Sequence, residues 1–530
     1  MPKKYAKVFL IAVCTIGCLL GVNVLAASTS AVDRLTLDQK IGQVFMVGMP
    51  FNKFNESRIN FVRDYNIGGV MLKGPGSPPA SRVRAITRSL QRTSLSGIPV
   101  LIAVDQEGGK VNRLRNGFTH FPNAMAIGAT QSIFLAKAMG EAVGKELNSV
   151  GIHINFAPVM DVNNNPNNPV INVRSFSANP DMVASLGAAY IEGLQSAGVL
   201  ATAKHFPGHG DTDLDSHTSE ITSEHHFDRL ENIEMKPFIA AVKNNVSAIM
   251  TSHIRYNSLD PNQPASLSYP VVNSILRRDL NFKGLIITDD LSMKAITDTT
   301  PLHLAAIQAF NAGADIVLMV GSVREFRRTV EKFKRAIRTG IISKERLNES
   351  VGRILAVKKD LPERKRIKAK TLRAHSNLAR EISRKSVTMF PEKSLAIPLP
   401  TSYQKTILIV SRRKYLSNLL SLQHPNHHHI RLPRKMAGDD FRDMVDTLKK
   451  SSSVVFVIRN KRDANLVFRL QKELTFPCVV INLSDPSFTL GFDKKHSIVL
   501  TYSSLAIAIE AAAEVLQGKR KALGQNPMIL

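Results

Sequence analysis

The chain has 530 residues, 44% hydrophobic and 21% charged, enough to bury a sizeable core and to build two or three domains. Trp is absent and aromatic residues make up only 6%, which excludes a ligand site built on an indole platform. The net charge of +27 favours polyanionic surroundings, yet no zinc-ligand spacing or basic-aromatic interleaving marks a nucleic-acid module, and no nucleic-acid partner is expected.

Lys3, Lys4 and Lys7 precede an almost wholly apolar run at 8–25, followed by the small residues Ala26, Ala27 and Ser28. This pattern predicts a signal peptide over residues 1–27. An uncleaved membrane anchor or lipidation at Cys18 are the alternatives. All three export the body of the protein to the periplasm or cell envelope, with membrane contact only through this segment. Cys14 and Cys18 fall inside it, which leaves Cys478 in an apolar run as a small buried hydrophobe and allows no disulfide framework.

From residue 30 to 361 short β-branched runs alternate with amphipathic stretches. The runs at 42–47, 68–72, 99–104, 153–157, 200–204, 248–251, 285–288 and 315–320 predict strands. Helices are expected at 132–150, 181–197, 229–244, 302–312 and 322–339. Such alternation suits a (β/α)8 barrel or a large doubly wound sheet. The barrel is preferred because polar residues end several apolar runs: Asp105, Asp161, Lys204 with His205, His253, and Asp289. In a barrel these strand ends meet around one mouth. A basic linker over 362–371 contains ERKRIKAK. Residues 372–530 then read as a smaller α/β parallel-sheet domain, with a helix near 372–388, apolar runs at 406–411, 453–458, 478–483 and 497–502, and a helix at 504–516. It has no glycine-rich phosphate cradle, so no cofactor is expected. His427, His428 and His429 read as a surface tract, with a metal site as the lesser alternative.

The densest chemistry lies in KHFPGHGDTDLDSH, residues 204–217. Asp211, Asp213 and Asp215 alternate as in a calcium loop, but Ser216 and Thr222 stand where that loop needs its glycine and its bidentate glutamate. Pro207 and Gly208 forbid the helix that would put His205 and His209 on one metal, so no metal site is expected. The alternative is acid-base chemistry. A histidine next to a carboxylate titrates near neutral pH, and Asp215 and His217 are spaced to reach the same side of an extended turn. In GLIITDDLSMKAI, residues 284–296, Asp289 ends the strand at the mouth, where a carboxylate can act as a nucleophile, and Asp290 is the better helix-capping candidate. In VDQEGGKVNRLR, residues 104–115, Asp105 can accept and Arg113 can donate hydrogen bonds. The polar NVRSF loop offers Arg174.

Together KHFPGHGDT…DSH, DQEGG-K-V-x-R and TDDLSM, in that order, resemble the bacterial β-N-acetylglucosaminidase branch of glycoside hydrolase family 3. The resemblance implies a retaining exo-glycosidase with Asp289 as nucleophile and His217 as acid/base assisted by Asp215. It also implies sugar contacts from Asp105, Arg113, Arg174, Lys204 and His205. Terminal β-linked N-acetylglucosamine on cell-wall muropeptides or chitin-type oligosaccharides is the expected substrate, with an anionic wall polymer as a further partner. A non-catalytic wall-binding protein and a phosphorylase are the competing readings. The sequence departs from the family pattern at Asn172 and Ser177, where glycines are usual, and a positive φ would suit Asn172 better than Ser177.

Overall fold

The computed structural model describes residues 31–528 except 75, 95–96, 217–218, 392–395, 400–404, 415–417 and 419–426. The expected export segment and His217 therefore lie outside the described residues. Among the described residues no helix is long and apolar enough to cross a membrane.

The first body is a parallel barrel of eight strands: β1 Phe45–Pro50, β2 Gly69–Lys73, β3 Leu101–Val104, β4 Ile154–Asn155, β5 Leu200–Phe206, β6 Ala248–Thr251, β7 Leu285–Thr288 and β8 Val317–Met319. Neighbours pair in sequence order from β1 to β7, β8 pairs with β1, and a bridge between Ile287 and Ile316 closes β7 against β8. LIAV, AIMT and LIIT are buried along their whole length, as both faces of a barrel strand require.

The outer helices follow from their own residues. Ser322 and Glu325 form a capping box that starts the helix Val323–Arg338. Its buried residues Phe326, Thr329, Phe333, Ala336 and Ile337 recur every three or four positions and face the barrel. Phe333 packs edge-on against Phe45 and Phe310, with ring centroids 5.2 Å apart in both pairs.

At the barrel seam, Asp315 is fully buried just before β8. Its carboxylate accepts from Arg277 Nη2 and Arg353 Nε at 2.7 Å each, and from the Ile286 N–H and Ser350 Oγ at 3.0 Å each. One anion thus ties β7 to β8 and to two outer helices.

The second body is a six-stranded sheet: β9 Thr388–Phe390, β10 Ile407–Ser411, β11 His427–Arg431, β12 Ser453–Ile458, β13 Val479–Asn482 and β14 Ser497–Leu500. The order is β9-β14-β13-β12-β10-β11, parallel except for β9. The helix Ala506–Leu516 covers one face, and Asp439–Lys449 with Lys461–Lys472 covers the other. Cys478 is buried here, and burial pushes its thiol up to about 12. The chain end returns to the barrel, where Gln525 N donates to Ala129 O and Ala178 N donates to Pro527 O, each at 2.9 Å.

Several expectations are corrected. Residue 42 belongs to the helix Leu37–Gln43, started by a Thr36–Gln39 capping box, so β1 begins only at Phe45. The stretch expected as one helix at 229–244 contains a π-turn, Leu230–Glu234, and a separate helix, Lys236–Lys243, because Pro237 cannot donate to the preceding turn. The helix Ala369–Ser386 begins inside the expected linker. The histidine tract does lie at the surface, as an edge strand paired with β10.

Asp315→Ala leaves Arg277 and Arg353 without their shared anion, and the expected loss is about 3–5 kcal/mol in urea unfolding. An unchanged midpoint would remove Asp315 from the closure of the barrel.

Candidate active site

The carboxyl ends of β3, β5, β6 and β7 surround a cavity of about 220 Å3. Asp105 follows β3, Lys204 and His205 lie near the end of β5, and Asp289 follows β7. All four line the cavity, as do Arg113 and Arg174, while Met71, Phe156, Met250 and Leu318 supply apolar wall. Seven of the eight residues singled out in the sequence are described; six of them meet here.

A buried charge network organises the mouth. Lys204 Nζ lies 2.9 Å from Asp105 Oδ1 and 2.7 Å from Glu107 Oε1. Arg174 grips Glu107 with Nε and Nη2, both at 2.8 Å. Burial alone would raise Glu107, but Arg174 and Lys204 hold it well below the carboxylate range. Burial would likewise lower Arg174 and Lys204, yet their carboxylate partners raise both. Sequence reasoning missed Glu107. Its signal was its place two residues after Asp105 at a strand end.

Asn172 does adopt a positive φ of 35°, while Ser177 is absent from the positive-φ residues and instead donates its hydroxyl to Pro527 O. Arg174 is thereby set in the short 172–174 turn with Glu107 as its partner. Arg113 differs from the other cations, since its Nε is buried without a hydrogen-bond partner in the protein. A ligand oxygen could satisfy it.

The neighbouring carboxylates Asp289 and Asp290 diverge. Burial opposes ionisation of Asp289, but His253, His205, the Asp290 N–H at 2.7 Å and Lys204 bring it down to about 2. Burial pushes His253 down in turn, so near neutral pH the Asp290 N–H and Lys204 keep Asp289 charged. Asp290 is raised by burial and by Asp289. Its Oδ1 accepts from Ser292 N and Val320 N, each at 2.9 Å. It closes a turn and ties it to the end of β8; the next helix, Lys294–Thr297, starts at Met293 with no side-chain cap. The helix-capping role expected for Asp290 is therefore corrected. Carboxylates with separated proton affinities are a mark of acid-base and nucleophilic sites.

The loop after β5 is pinned from below. Buried Asp161 receives His205 Nδ1 at 2.7 Å, His205 N at 3.0 Å and His209 N at 2.8 Å. Burial lowers His209 to about 4, and its ring contacts Ser216 Oγ and Thr212 Oγ1 at 3.0 and 3.2 Å. Gly210 passes so close to Val162 that an added Cβ would fall 1.6 Å from its carbonyl oxygen. Asp215 is half-buried further along this loop, where its carbonyl accepts from Ser219 N at 3.2 Å. Asp211, His225 and Glu234 also converge, but Arg229 donates to both carboxylates and already supplies the cation there.

The family model described as "Glycosyl hydrolase family 3 N terminal domain" matches residues 36–357. The chain is 38% identical over 380 residues to "Beta-hexosaminidase A" of Pseudoalteromonas piscicida, covering 64% of this chain and 63% of that protein. It is 36% identical over 259 residues to "Beta-hexosaminidase" of Nitrosomonas eutropha, covering 48% of this chain and 73% of that one. A solved glycoside hydrolase family 3 β-N-acetylglucosaminidase from a Paenibacillus species superposes with a TM-score of 0.85 at 32% identity, covering 93% of this chain and 99% of that chain.

The cations make separable predictions. Glu107→Gln leaves Arg174 without its carboxylate and Lys204 with Asp105 alone, and should cost on the order of 3 kcal/mol of stability. Arg113→Ala should stay within about 0.5 kcal/mol of wild type. Urea unfolding of both variants checks this, and equal losses would contradict the distinction between a structural and a ligand-facing cation.

Proposed function

The chain belongs to glycosyl hydrolase family 3, and on that premise we propose that it is a retaining exo-β-N-acetylglucosaminidase working outside the cytoplasm. The observation that carries this reading is an ionised carboxylate, Asp289, in a small cavity edged by fixed donors and acceptors. The cavity, about 220 Å3, lies below the roughly 300–1,000 Å3 of drug-sized ligand pockets, which suits a single terminal sugar ring. The names of the hexosaminidase relatives support N-acetylglucosamine as that sugar.

In the first step an Asp289 oxygen attacks the anomeric carbon as the bond to the aglycone oxygen breaks, and His217 gives that oxygen its proton. In the second step water loses a proton to His217 and attacks the same carbon, which releases Asp289. Asp215 orients the His217 ring and stabilises its charged form. Asp105 and Lys204 suit a vicinal pair of hydroxyls; Arg113, Arg174 and His205 complete the polar wall. Muropeptides or chitin-type oligosaccharides are the proposed substrates. A groove of Arg380, Arg384, Lys385, Lys519, Arg520 and Lys521 supports an anionic wall polymer as a further partner.

Release of phenolate from 4-nitrophenyl N-acetyl-β-glucosaminide tests the activity, and Asp289→Ala should reduce it on the order of 10^4-fold or more. A fluorinated slow substrate should label Asp289; a label elsewhere overturns the assignment. Turnover that yields a sugar phosphate only when phosphate is added would replace hydrolysis by phosphorolysis. No turnover of any glycoside, with salt-sensitive pelleting on purified wall, would favour the wall-binding reading.

The pH profile separates the two catalytic groups. Asp289 at about 2 stays ionised as pH falls from 6 to 4, so it sets no acid limb in that range. His217 must be protonated to act as the acid, so activity should fall as pH rises past the point where its ring loses the proton. His217→Ala should abolish that alkaline limb and cost roughly 10^2–10^4-fold on a disaccharide, with much smaller loss on the nitrophenyl substrate. Equal losses on both substrates would contradict the acid role.

A further inference from the structure

Asp289 sits on a turn whose shape is set by a histidine from the neighbouring strand. His253 follows β6 by two residues and is buried, and it is not among the residues that line the sugar cavity. Its Nε2 lies 3.0 Å from the carbonyl oxygen of Asp290, and its Nδ1 lies 2.8 Å from Ser266 Oγ. A carbonyl oxygen can only accept, so Nε2 carries the ring proton. Burial favours the neutral ring, which makes Nδ1 an acceptor for the Ser266 hydroxyl. Ser266 is fixed in turn, because its N–H donates to Ser252 O at 3.0 Å. Partners at both nitrogens thus select one tautomer and one ring orientation.

The backbone that this ring grips is held on every side. Asp289 N donates to Thr251 O at 3.1 Å, and Leu291 N donates to Leu318 O at 3.0 Å. The Asp290 carboxylate adds its bonds to Ser292 N and Val320 N. With its carbonyl on His253, Asp290 then has its own N–H aimed at Asp289 Oδ1, 2.7 Å away. One oxygen of the nucleophile is thereby committed to the backbone. Without a donor from His253 the buried carbonyl must find another, and the turn can rotate the Asp290 N–H off the carboxylate.

We infer that His253 is a positioning residue for the nucleophile: it fixes Asp290, whose N–H clamps Asp289 Oδ1, and so presents Oδ2 to the anomeric carbon. The inference rests on the proposed glycosidase reading and deepens it. Oδ2 forms the bond to that carbon in the first step and is released from it in the second. His253 neither gives nor takes a proton in either step. Its contribution is alignment, and a displacement of about 1 Å at a reacting atom can cost on the order of 10^2-fold in rate.

The test measures kcat and KM on 4-nitrophenyl N-acetyl-β-glucosaminide, and the rate at which the fluorinated slow substrate labels Asp289. His253→Leu removes the donor and should lower kcat and the labelling rate together, on the order of 10^2-fold, with KM nearly unchanged. The amide nitrogen of Gln reaches the place of Nε2, so His253→Gln should recover roughly tenfold of that loss. Ser266→Ala releases the tautomer and should cost severalfold in kcat. A folded His253→Leu with wild-type kcat, or with its loss confined to KM, overturns the positioning role. So does a folded His253→Gln that is no better than His253→Leu. Should the leucine variant not fold, wild-type kcat in Ser266→Ala overturns it. Each of these outcomes leaves the glycosidase reading intact, whereas a wild type that neither turns over nor labels overturns that reading as well.

Discussion

Lys204 is a lysine with 3% of its side chain exposed, and the mouth of the barrel depends on how its charge is balanced. A buried ammonium is tolerable only where carboxylates meet it, and Asp105 and Glu107 do so at 2.9 and 2.7 Å. Glu107 is then shared with the fork of Arg174. Two cations and two anions from β3, the following hairpin, β5 and the 172–174 turn therefore lock four chain segments into one geometry. The same atoms that satisfy one another line the sugar cavity. Pre-organisation of this kind means that little need move when a polar ligand arrives.

The second domain takes part in that geometry. The chain end returns to residues 129 and 177–178, and Ser177 donates its hydroxyl to Pro527 O just beyond the turn that carries Arg174. Asn123, whose Oδ1 accepts from Lys110 N at 2.7 Å, donates from Nδ2 to Tyr502 O. Tyr502 itself is buried at a positive φ of 54°, on the chain just after β14. The sheet behind the barrel thus buttresses the active-site wall.

Much of this was legible in the residues. LIAV, AIMT and LIIT are short, apolar and β-branched, and each ends on a polar residue that a barrel can tolerate only at its mouth. β6 and β7 and the helix Leu302–Ala312 lie where the periodicity placed them. The edge strand of histidines was not legible, because half-exposed polar residues paired with one neighbour carry no apolar pattern. Glu107 was passed over since an acidic residue beside two glycines reads as part of a solvent-exposed turn until a lysine ninety-seven positions later in the chain is brought to it. Asp290 looked like a helix cap because the next helix starts four residues on, yet the end of β8 captured its carboxylate instead.

By itself the sequence determined the repeated strand-helix alternation, the family and the acidic and histidine-rich segments that face one mouth, because periodicity and local motif are properties of contiguous residues. Only the tertiary structure decided which charges meet. Pairing in the buried network runs between residues 67 to 99 positions apart, and His253 reaches the Asp290 carbonyl from 37 positions away. The reason is physical. A buried charge takes its proton affinity and its role from neighbours within a few ångströms, and in a barrel those neighbours come from different strands.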